Sequence, residues 1–152
     1  MPYQLIPLVE RKLMLCVGFG NVSAEDVSLW EAEVQTQLED VDGLFLSAIY
    51  DMSRVTALPP LSRVVQVQVG RHEKAGWVVF SGVQNKPLMF ILSVIAQMSR
   101  ARTRFVANNA EALALIHDVF PDMQHLTVAD IERAVAFAES RYLESQSPAQ
   151  SG

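Results

Sequence analysis

The sequence predicts a single α/β domain built on a mixed, mostly parallel sheet of four or five strands, with helices mainly on one face. Three observations carry that expectation. Short apolar runs alternate along the chain with amphipathic stretches of helical period. Two of the runs, 44–50 (LFLSAIY) and 76–81 (GWVVFS), are apolar almost without interruption, as in strands covered on both faces. The 152 residues suffice for one core, because a chain of this length buries roughly 68–70% of its unfolded surface, whereas two cores would each be marginal.

The elements follow in order. Residues 3–9 (YQLIPLV) and 13–20 (LMLCVGFG) are separated only by Glu10-Arg11-Lys12 and read as a hairpin. Pro7 has no ladder donor, which places the first run at an edge. Ser23 with Asp26 makes a capping-box-like start, and Val27, Trp30, Val34 and Leu38 recur at helical spacing, so 24–40 is a half-buried helix. Asp42-Gly43 turns the chain into strand 44–50. Beyond Pro59-Pro60 local pattern and topology disagree. Val65, Val67 and Val69 alternate with glutamines like a strand, yet a parallel sheet requires a crossover there, and a helix is expected on that ground.

After strand 76–81, Lys86-Pro87 opens an apolar helix to Met98, with proline where a first turn tolerates it. That helix is apolar on nearly all sides, as in one buried in the fold or offering a face to a partner. Residues 103–106 form a last strand, and Asn109 is expected to cap a helix through Phe120. Thr127 with Asp130 caps a final helix carrying Val128, Ile131, Val135 and Ala138 on one face. From Ser145 the chain is small and polar, so the domain is expected to span 1–144 with a disordered tail at 145–152.

Composition narrows the function. A net charge of −5 argues against nucleic-acid binding through a broad basic face. The single cysteine, Cys16, lies in an apolar run and has no partner for an intramolecular disulfide, as expected of a buried residue in a reducing compartment. The first residues lack the pattern of a secretory signal, and no apolar run approaches the ~20 residues of a membrane span, so a cytoplasmic protein is expected. His72, His117 and His125 are scattered without metal-ligand spacing, and no metal or cofactor is expected.

Three polar loops follow apolar strands, where α/β sheets bind their ligands: 51–56, 81–86 and 107–109. Asp51 and Ser53 are of the right types for an acid and a nucleophile, but no histidine is near in sequence. A hydrolase at Ser53 or Ser81 would need one brought in by the fold. Residues 81–86 hold a glycine and a lysine before a helix, without the spacing of a phosphate-binding loop. Arg100, Arg102 and Arg104 form a basic cluster after the apolar helix, suited to its dipole or to an acidic partner.

The stretch Ile49-Tyr50-Asp51-Met52-Ser53-Arg54-Val55-Thr56 resembles the STAS domain of anti-sigma-factor antagonists, in which an apolar strand runs into Asp-Leu-Ser and then Val-Ser or Val-Thr. Residues 76–82 resemble that family's next strand and loop, and 105–113 its last strand and following helix. The likeness spans roughly residues 13–120. It implies signalling through protein contact, with Asp51, Ser53, Arg54, Thr56, Ser62 and Arg63 as the partner surface.

One departure matters. Where those antagonists carry Asp-Ser-Ser-Gly with a phosphorylated serine, this chain reads Pro59-Pro60-Leu61-Ser62. Pro60 and Leu61 have no hydroxyl to phosphorylate, and Ser62 is the residual candidate one step later. The expectation is therefore a divergent, STAS-like, non-enzymatic regulatory interaction module without the usual serine switch. The alternative is a carrier or sensor of a small apolar ligand held between the 88–98 helix and the sheet, with Ser81, Asn85, Lys86 and Phe90 as candidate contacts. Pairing of the N-terminal edge strand across a two-fold axis would make a homodimer.

Overall fold

The computed structural model describes residues 2–41, 45–99 and 101–146. The Glu10-Arg11-Lys12 triplet turns β1 (Tyr3–Val9) back on β2 (Leu13–Gly18) as the predicted antiparallel hairpin, with Arg11 at a left-handed φ of 62°. The chain continues through β3 (Gly20–Asn21), α1 (Ala24–Glu39), β4 (Leu46–Asp51) and β5 (Val55–Ala57). Then come α2 (Leu61–Val64), β6 (Ala75–Ser81), α3 (Lys86–Met98), β7 (Arg102–Val106), α4 (Asn109–Val119) and α5 (Val128–Ser145). The main sheet has the order β1-β2-β4-β6-β7, parallel except for the hairpin, and β3 pairs with β5 in a small parallel annex. Pro7 sits on an edge strand, where its missing donor costs no ladder bond.

Strand alternation divides the core in two. Leu13, Leu15, Val17, Ile49 and Val79 project to one face and pack with α4 and α5 through Ile116, Ile131 and Ala138. Met14, Ala48, Tyr50 and Phe80 project to the other, against Val27, Trp30, Val34 and Leu38 of α1 and Leu88 and Leu92 of α3. Among the described residues, α1, α2 and α3 thus cover one face and α4 and α5 the other. Cys16 is buried on the α1 side.

Three local expectations change. Asn108, not Asn109, caps α4: its side chain accepts from the Glu111 N–H, and Asn109 becomes the first helical residue with its amide free for another use. Helix α3 buries only Leu88 and Leu92 fully and leaves Met89, Phe90 and Met98 on the surface, so its all-round apolarity is not matched by all-round burial. The crossover from β4 to β6 is not a full helix. It holds the single turn α2 and a 3₁₀ turn at Val69–Arg71. Two prolines start it late, and β-branched Val64, Val65, Val67 and Val69 resist helix, so local pattern limited what topology demanded.

Both capping boxes read from the sequence are present. At the start of α5 the Asp130 carboxylate accepts from the Thr127 N–H at 2.9 Å and the Thr127 hydroxyl accepts from the Asp130 N–H at 3.2 Å. Hydrogen bonds from the Thr127 backbone and then its side chain hold Asp130 below its ordinary value of 3.8. A carboxylate depressed on folding contributes stability above that ordinary value and loses it as pH falls through the folded one. Acidification below 3.8 is therefore expected to fray α5 first. Thr127→Ala should bring the Asp130 pKa back toward 3.8 in an NMR titration and lower Tm by about 3 °C, the usual effect of losing a cap in a domain of this size.

Candidate functional site

The parallel strands β4, β6 and β7 end in register at Asp51, Ser81 and Val106, and the chain leaves this edge through three loops. Asp51 is the organising residue. The residue is 3% exposed, and burial of a carboxylate is tolerable only when donors replace water. One oxygen accepts from the Ser53 N–H at 3.0 Å and the Ser53 hydroxyl at 2.6 Å, a turn closed on the residue two ahead. The other accepts from the Asn109 amide at 3.0 Å and lies 3.5 Å from the Arg54 guanidinium. Arg54 also reaches Glu139 of α5 at 3.2 Å. Four elements, β4, its loop, α4 and α5, are tied at one carboxylate and its arginine.

Gly82 supports this arrangement from below. Its φ of 72° suits glycine, and a Cβ there would stand 3.0 Å from the Ser53 Cβ. Gly82→Ala is expected to cost about 2 kcal/mol in urea unfolding, from left-handed strain together with pressure on the Ser53 turn. A cost near zero would show that the turn yields freely.

The predicted residues are distributed as follows. Ser53, Arg54 and Thr56 are exposed around the Asp51 turn, whereas Met52, Val55 and Leu58 of the same loop point inward. Ser62 is exposed on α2, and Arg63 donates to the Ser28 hydroxyl at 2.6 Å, fastening α2 to α1. Ser81 is buried beside Asp51, and its carbonyl accepts from the Met52 N–H at 2.8 Å. Asn85 caps α3 by accepting from the Leu88 N–H, Lys86 is exposed, and Phe90 is 61% exposed. Arg102 and Arg104 lie over the Trp77 ring at 5.7 and 5.2 Å, while Arg100 lies outside the described residues.

The Ser53 hydroxyl donates to Asp51, His117 bonds to the Leu126 carbonyl, and His72 accepts from the Lys74 N–H. The contact of Asn109 with Asp51, and Glu139 altogether, escaped the sequence reading, because the partners lie 58 and 85 residues away and no local pattern marks the pairing. Among the described residues no group of three or more His, Cys, Asp or Glu is placed to hold a metal, and no helix is long and apolar enough to cross a membrane.

Under the α1–α3 face lies a cavity of about 170 Å³. Its walls come from α1 (Trp30, Val34), α3 (Leu92, Ala96), the crossover (Val67) and the sheet (Tyr50). None of Ser81, Asn85, Lys86 or Phe90 lines it.

No family model matches this chain, and no curated protein matches it. Solved structures do. The chain is similar to an uncharacterized protein of the DUF3478 family with a SpoIIAA-like fold, from Shewanella loihica PV-4, at 13% identity and a TM-score of 0.57, over 74% of this chain and 92% of that one. It is likewise similar to the anti-sigma factor antagonist SpoIIAA in its unphosphorylated form, at 17% identity and a TM-score of 0.52, over 76% of this chain and 97% of that one. Likeness at these identities shows the fold alone: the chain has a SpoIIAA-like α/β fold, of the kind the motif order implied.

Proposed function

We propose that this STAS-like domain is a non-enzymatic regulatory module that docks a protein partner on the carboxyl edge of its sheet, through Ser53, Arg54, Thr56, Ser62 and Arg63. The carrying observation is the Asp51 network, which pins the loop so that Met52 and Val55 face in and Ser53, Arg54 and Thr56 face out. A surface held in one conformation loses less entropy on association than a loose loop. Asp51 itself is buried, so it positions the surface and does not touch the partner. The fold supports the same reading, since SpoIIAA is an anti-sigma factor antagonist.

The proposed docking does without the usual serine switch, because the resemblance puts Pro60 or Leu61 at the phosphoacceptor position. Affinity capture from cells of origin tests the docking, comparing the wild type with the folded double variant Arg54→Glu, Thr56→Lys. Partners retained by the wild type and lost by the variant are expected, and identical capture by both would remove the site. A Ser62 phosphopeptide in protein isolated from those cells would restore a serine switch.

The cavity favours a second reading, carriage or sensing of a small apolar ligand, at a place walled in part by the inward side chains Met52, Val55 and Leu58 of the docking loop.

A further inference from the structure

Resting on the ligand reading, we propose that the cavity between α1, α3 and the sheet binds a compact, uncharged, largely apolar molecule with a single hydrogen-bond acceptor, taken by the Trp30 and Tyr50 side chains.

The cavity has a cause in the sequence. A β4–β6 crossover ordinarily lays a full helix across the sheet, and here one turn of α2 and one 3₁₀ turn stand in for it. The sheet face beneath is short of filling. The two faces of the same strands show the difference: Ile49 and Val79, turned to α4 and α5, are fully buried, whereas Tyr50 and Val78, turned to the cavity, keep accessible surface. Native interiors rarely leave such a gap in the middle of a sheet.

Size and chemistry define the occupant. A dry, apolar cavity of about 150 Å³ takes benzene, so about 170 Å³ accommodates a single ring with a short substituent, on the order of ten non-hydrogen atoms. The lining is apolar apart from a few groups, and none of these carries a charge. Burial pushes the Cys16 thiol and the Tyr50 phenol up, which keeps both neutral, and a charged ligand would meet no counter-charge. Two of the cavity's polar groups belong to side chains in edge contact, Trp30 and Tyr50, with ring centroids 6.0 Å apart. The Trp30 indole N–H is buried and has no acceptor among the described residues. Its neighbour is the Tyr50 phenol, with which it makes no hydrogen bond of normal geometry. A buried donor without a partner is unfavourable, and a ligand acceptor can relieve it.

The test uses the full chain with two probes of similar shape, acetophenone, which has one carbonyl acceptor, and cumene, which has none. Binding is followed by calorimetry and by the Trp30 indole N–H resonance, identified by its absence in Trp30→Phe. Both probes are expected to bind, and acetophenone alone should move that resonance downfield. Trp30→Phe and Tyr50→Phe should each weaken acetophenone about fivefold, the effect of one neutral hydrogen bond, while cumene stays within about twofold. Ala96→Leu, which fills the cavity with a good helix former, should abolish binding of both while the protein stays folded. If both probes bind but neither Phe variant discriminates between them, the acceptor assignment falls and the ligand reading stands. If neither probe binds the wild type at millimolar concentration, or both still bind folded Ala96→Leu, the site itself is overturned.

Discussion

Ile131→Ala is expected to destabilise the domain by about 3 kcal/mol, in the middle of the range for large-to-small changes at buried aliphatic positions. Ile131 is fully buried on α5 and belongs to the core formed with Leu13, Leu15, Val17, Ile49, Val79 and Ile116. On this face two long helices lie over a sheet already tightly filled, so little slack remains to close around the lost atoms. Urea denaturation should show a lower midpoint with an unchanged slope, because the folded state keeps its extent. A loss below about 1 kcal/mol would mean that α5 can slide to close the hole, and would question how firmly it holds Glu139 toward Arg54. On the opposite face the sign reverses: Ala96→Leu enters a cavity, and is expected to leave Tm unchanged or raise it.

Asp51→Ala is expected to cost about 3 kcal/mol as well, by another route. It removes an acceptor and leaves the Ser53 hydroxyl and N–H, the Asn109 amide and the Arg54 guanidinium without the group that ordered them. Arg54 is more than one-third exposed, so water recovers much of its share, and the cost falls chiefly on the part-buried hydrogen bonds from Ser53 and Asn109. Amide hydrogen exchange at Ser53 should quicken more than at residues of β2, reporting local release of the loop before global unfolding. Asp51→Asn keeps one acceptor oxygen and should cost less than half as much. An alanine variant as stable as the wild type, with unaltered exchange at Ser53, would show that the loop is held by Met52 and Val55 alone and would remove the physical basis of the docking surface.

These two residues differ in how visible they were. Ile131 sits in an apolar stripe of period 3.6 behind a Thr-x-x-Asp cap, a signal that local chemistry writes into a few consecutive residues. Asp51 was conspicuous as the polar residue ending an apolar strand, and the resemblance of its neighbours to the STAS pattern singled it out. What it does there was hidden. Its partners Asn109 and Arg54, and Glu139 beyond them, come together only when α4 and α5 dock on the sheet. The same holds for Asn109, read as a cap because asparagine so often is one. Asn108 reaches the Glu111 N–H instead, which leaves the Asn109 amide to Asp51.

By itself, then, the sequence determined most strands and helices of the main sheet, the hairpin with its edge proline and both capping boxes, because each rests on periodicity or on contacts within a few residues, while the order of motifs was legible only through a family resemblance. The tertiary structure alone decided which faces the helices cover, which distant side chains meet at Asp51, and that a cavity lies beneath α1 and α3. The last is the clearest case. Pro59-Pro60 and the valines after them are plain in the sequence as poor helix formers, but a shortfall of volume exists only between elements already packed, and no single segment records it.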